Sequence, residues 1–152
     1  MRPRGWAGVA YACPRVRVRE MNRTIQQERA SFALARVAGL FERAGVDASE
    51  LRTAVRAFPA LVHMNGLGQA AAFYKGGKRA QPFVYELFSD WLCANGQPLA
   101  GHTDLVAAIA ACEMQVYMAA QAEALELAEW VKRLVDAHDW SMDSGRGAGA
   151  TS

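Results

Sequence analysis

The sequence predicts an all-α fold, a single-domain bundle of about six helices, and three observations carry this. The chain of 152 residues is 52% hydrophobic but only 9% aromatic, an Ala- and Leu-rich balance that favours helix over strand. Its punctuation is that of helices, with capping residues, prolines and Asn-Gly pairs at the expected places and no convincing strand between them. Its length suits one domain with a sizeable core.

The elements run in order along the chain. Thr24 and Gln27 have the spacing of a capping box, so a first long helix is predicted from there to about Ala44, before Gly45. Asp47 starts a second, with Glu50 three residues on, which ends before Pro59. Residues 58–78, FPALVHMNGLGQAAAFYKGGK, read as a broken helical pair. Pro59 has the φ of a first helical position, and Phe58 before it is pushed from the α region. Asn65-Gly66 supplies a left-handed stop, 67–74 resumes the helical pattern, and Gly76-Gly77 ends it. Pro82 opens the next helix, which closes near Asn95-Gly96. After a loop, 104–112 and a long segment to about His138 are helical, and no Gly or Pro decides whether they are one helix or two.

Residues 1–20 look foreign to the rest of the chain and read as an upstream extension. They hold five Arg and one acid, a net of +4. The domain proper spans 21–140. Residues 141–152 are Gly/Ser-rich with nothing to bury, and predict a disordered tail. The net charge of +2 conceals a segregation: 21–80 carries nine cations and four acids, whereas 81–152 carries three and ten. Such asymmetry suits both nucleic-acid contact and complementary protein contact. No apolar run approaches the roughly 18 residues of a membrane span, and the odd, scattered Cys13, Cys93 and Cys112 fit burial as small hydrophobes in a reducing cytoplasm.

Catalytic signals are sparse. His63, His102 and His138 are far apart and form no metal-ligand spacing. Glu86 and Asp90 share a helix face and can be imagined holding a divalent cation, but without an evident third ligand they read better as a solvated face. No metal or cofactor is expected, and no enzyme. The basic residues say more. Arg29, Arg36 and Arg43 fall within about 40° of one another on the first helix and rise about 10 Å per step. They lie beside a stripe of Ala33, Leu34, Val37, Leu40, Phe41 and Ala44. Such a row can track a phosphate backbone, or be a solvated edge. Lys75, Lys78 and Arg79 on the Gly-Gly loop can extend it, as can Lys132 and Arg133. On the last helix, Glu123 falls inside the arc of Ala120, Ala124, Leu127 and Val131. A carboxylate on a core face needs a partner, and Arg29 or the amides at Asn65-Gly66 are the expected ones.

The P-A-L-x-x-x-N-G-L-x-Q-A-x-x-F run, the Arg29-Ala30 pair and the E-A-L…W-x-K-R close of the last helix, in that order, resemble the small all-helical subunit of the type III-B CRISPR effector, the fifth Cmr protein family. The likeness spans most of 22–138. It implies a break near 111–113 and a polar lock of Glu123, Arg29 and Asn65. It also implies a non-catalytic cytoplasmic protein of antiviral defence that stacks beside the repeated backbone subunit and beside copies of itself. There it would help hold target RNA and the guide RNA–target duplex, sequence being read by base pairing. The competing expectations are a helical protein–protein adaptor without RNA contact and a hydrolase built on Glu86 and Asp90.

Overall fold

The computed structural model describes residues 23–43 and 46–146, with side chains described as far as His138. The described residues form five helices: α1 (Ile25–Glu42), α2 (Ala48–Lys75), α3 (Gln81–Leu92), α4 (Leu105–Ala111) and α5 (Met114–Arg146). No strand occurs among the described residues. The N-terminal extension, Cys13, the Ala44-Gly45 end assigned to the first helix, and 147–152 lie outside these residues.

The capping box starts α1: Thr24 Oγ1 accepts from the Gln27 amide at 3.2 Å, and the Thr24 amide donates back to Gln27 Oε1 at 2.9 Å. Arg43 caps its far end in extended backbone. Of the stripe expected to face inward, Ala33, Val37 and Leu40 are buried, but Leu34 is exposed.

The largest departure from expectation is the first half of α2: the helix is interrupted at Gly66 alone, giving two segments rather than three, and the first segment does not stop before Pro59. Pro59 sits inside it, and Phe58 stays helical. Proline removes an amide donor and strains the preceding turn, but the apolar face runs uninterrupted through Leu51, Ala54, Val55, Phe58 and Val62, all buried. The Phe58 ring stacks on Phe88 at 4.3 Å and meets Tyr74 at 5.1 Å, while Tyr74 Oη donates to the Ala54 carbonyl at 2.6 Å. Moving Phe58 out of helical geometry would vacate that cluster, and emptying a buried aromatic position costs roughly 3–5 kcal/mol. Packing therefore outweighs the local preference.

The real interruption is a single residue, Gly66, at φ 82° and ψ 161°. The break frees the following amides from their carbonyls, and α5 takes them: the Leu67 amide donates to Gln121 Oε1 at 3.0 Å, and the Gly68 amide to Tyr117 Oη at 3.2 Å. Glycine is required here twice over. A side chain is strained at this φ, and its Cβ would lie 2.8 Å from Tyr117 Oη. Hydrogen bonds between residues 68 and 117, then 56 and 136, run α2 and α5 antiparallel.

α4 and α5 are separate helices. Cys112 turns to extended backbone at ψ 161°, and α5 starts at Met114. Asp104 caps α4, accepting from the Ala107 amide and from Tyr85 Oη at 2.6 Å and Lys75 Nζ at 3.0 Å. The Tyr85 hydrogen bond, followed by those of Lys75 and Ala107, holds the Asp104 carboxyl below its ordinary value despite some burial. α5 continues to Arg146, so the tail expected from 141 begins as helix.

Candidate nucleic-acid interface

α1 and α3 pack antiparallel, and their facing edges carry the cations singled out above. Arg36 pairs with Asp90, and Arg43 pairs with Glu86 at 3.3 Å. Each guanidinium also lies over a ring, Arg36 over Phe32 at 5.3 Å and Arg43 over Phe83 at 4.8 Å, an attraction that steadies a long side chain. Glu86 and Asp90 thus answer the arginine row of α1. Among the described residues no group of three or more His, Cys, Asp or Glu is placed to hold a metal ion.

Arg29 leaves the row. It is buried, and donates through Nε to Glu123 Oε1 at 2.8 Å and through Nη2 to Oε2 at 2.6 Å. Trp91 Nε1 gives the same carboxylate a third bond, also at 2.8 Å. Burial pushes the Glu123 carboxyl upward, but the bonds from Arg29 and Trp91 and the adjacent positive charge outweigh it, and the net direction is downward. The hydrogen bond to Glu123 raises the Arg29 guanidinium against its own desolvation. With two N–H groups on Glu123 and Nη1 3.8 Å from Glu126, the buried Arg29 belongs to this lock and stands apart from the exposed arginines of the row. Asn65 is outside the cluster, because the amides after it go to Gln121 and Tyr117. Sequence reasoning missed Trp91, Gln121 and Tyr117. The one signal available was that an indole N–H on an apolar helix requires an acceptor.

The other expected RNA-contact cations fall in three places. Lys78 and Arg79 border a groove of about 410 Å³ against the first turns of α2, with Ser49, Glu50 and Thr53 opposite. Arg79 pairs with Glu50 at 3.0 Å and holds a positive φ of 63°, whereas the Lys78 ammonium has no acidic partner among the described residues. Phe83, in the first turn of α3, brings Arg43 to this same end of the bundle. Lys75 is committed to Asp104. Lys132 and Arg133 lie apart on α5, the latter 4.0 Å from Glu129, and nothing among the described residues joins them to the row.

His63 and His102 are exposed, and His138 stacks on Phe41 at 4.0 Å. Cys93 and Cys112 are half-buried free thiols; burial pushes the Cys93 thiol up. No described helix is long and apolar enough to cross a membrane.

Fold and surface together define a small helical bundle with one internal ion-pair lock and an outer ladder of Arg–carboxylate pairs. The Cas_Cmr5 family of CRISPR-associated proteins matches residues 25–138. A solved crystal structure of a CRISPR-associated Cmr5 family protein from Thermus thermophilus shares 30% identity and a TM-score of 0.64, covering 76% of this chain and 97% of that one. No curated protein gives a significant match. The chain belongs to the Cas_Cmr5 family and is a small subunit of the type III-B Cmr type.

Proposed function

We propose that this protein is a non-catalytic subunit of an RNA-guided ribonucleoprotein in antiviral defence. It stacks along the repeated backbone subunits and beside its own copies, and supports the guide–target RNA duplex. The observation that carries this, beyond family membership, is the gathering of Arg43, Lys78 and Arg79 at one end of the bundle, with Arg36 one step along α1. These side chains present charge and hydrogen-bond donors without any base-reading constellation, which suits a complex in which base pairing supplies sequence recognition. The segregated charge supports head-to-tail contacts between copies, an arrangement that extends and does not close.

The test replaces Arg36, Arg43, Lys78 and Arg79 by Gln in the assembled effector. Affinity for matched RNA should fall about equally for all sequences, and the slope of log affinity against log salt should shrink by roughly 0.7 for every single-strand phosphate no longer neutralised. Mismatch discrimination should persist. Unchanged affinity and slope would favour the second reading, a helical adaptor that touches only protein. The specific observation on its side is that Arg36, Arg43 and Arg79 each already have a carboxylate.

A further inference from the structure

The α1–α3 edge encloses a groove of about 300 Å³ lined by Arg36, Gly39, Arg43, Phe83 and Glu86. Gly39 leaves its floor open, since a Cβ there would meet nothing within 4 Å. Both guanidiniums lie over aromatic rings and pair with carboxylates of α3: Glu86 lines the groove with Arg43, and Asp90, one turn along α3, meets Arg36. All four side chains are about half exposed, where ion pairs contribute little to folding. The carboxylates stand in positions that an anionic oxygen of another molecule can take. From this geometry we propose that the groove is a phosphodiester-exchange site in which Glu86 and Asp90 are resident counter-ligands, displaced when RNA phosphates reach Arg43 and Arg36.

The proposal rests on the RNA-contact reading and adds affinity-setting residues to it. The bundle folds with its row neutralised, so the free subunit holds RNA weakly. RNA delivered at high local concentration by the assembled complex outcompetes two exposed carboxylates. Dispersion of the row's charge through Glu86 and Asp90 thus limits indiscriminate binding without removing the arginines. The aromatic rings matter because they keep each guanidinium in place while its partner changes. Phe83 holds Arg43 on the groove wall, so the exchange needs a carboxylate to swing away and no movement of α1.

The experiment compares the full-length wild type with E86Q/D90N, R36Q/R43Q and the fourfold variant, using a single-stranded oligouridylate over a salt series. The same proteins are then measured within the assembled effector. Circular dichroism melting verifies that each variant is folded. E86Q/D90N should bind on the order of threefold to tenfold tighter at low salt, with a steeper salt slope. R36Q/R43Q should bind more weakly, and in that background E86Q/D90N should gain nothing. An equal gain in the R36Q/R43Q background would make the effect one of general charge and overturn the exchange. No gain from E86Q/D90N, with R36Q/R43Q still weakened, would overturn the exchange and leave the RNA row standing. No effect of any variant would overturn both. A change confined to binding of the backbone subunit would reassign the groove to a protein contact.

Discussion

Arg29 and Arg36 occupy the same row of α1, seven residues apart, and each meets a carboxylate. Yet they belong to different parts of the protein's physics. The Arg29–Glu123 pair is 9% and 12% exposed, carries two short bonds and has Trp91 as a third donor. The Arg36–Asp90 pair is 47% exposed on both sides. Removing one partner of a buried pair strands a charge where water cannot reach it, whereas an exposed charge rehydrates at once. One pair is architecture and the other is a surface that can change partners. The position of α5 and α3 around α1 separates them, because residue type and spacing are the same.

The sharpest way to break this contrast is to truncate each pair. R29A or E123A should destabilise the bundle by roughly 3–5 kcal/mol, with the double variant costing less than the sum. Denaturant melts check both. Additive effects under about 1 kcal/mol would place Glu123 in effective contact with solvent and erase the distinction.

A finer cut is W91F, which keeps an aromatic ring but takes one donor from the Glu123 carboxylate. Stability should fall by about 1.5–3 kcal/mol, the range for a hydrogen bond to a charged group. A neutral result would show that Arg29 alone satisfies the carboxylate.

Acid titration probes the same site. Because the folded Glu123 carboxyl lies below its ordinary value, its contribution is complete above the unfolded carboxylate range, about pH 4.3. It is lost as pH falls through the lower folded value. Melting temperature should therefore drop more steeply on acidification in the wild type than in E123Q. Parallel curves would remove Glu123 as a source of acid sensitivity.

The smallest expected effect lies on the exposed side. R36A and R43A should each change stability by no more than about 1 kcal/mol, measured by the same melts. A loss as large as that of R29A would make the outer ladder part of the architecture as well.

Most of the helix starts were legible in the residues, since Thr24, Asp47 and Asp104 act locally on their own following amides. The stop at Gly66 was legible for the same reason, as a left-handed backbone position next to Asn65. The effect of Pro59 was not. A local rule placed a boundary there, and burial of Phe58 between Phe88 and Tyr74 removed it. The candidate site divided along the same line. Heptad spacing marked Arg29, Arg36 and Arg43 as one row, and spacing holds no information about which of the three a neighbouring helix will cover.

By itself, then, the sequence determined an all-α bundle, its capped helix starts, the Gly66 interruption and a carboxylate at 123 that required a partner. These depend on contacts within a few residues or on a helix's own periodicity. Tertiary structure alone decided that α2 runs through Pro59 and that Gln121 and Tyr117 close the Gly66 break. It also decided that Trp91 joins the lock, and that Glu86 and Asp90 face the arginines of α1. Each of those depends on partners far apart in the chain, which only the packing of whole helices brings within bonding distance.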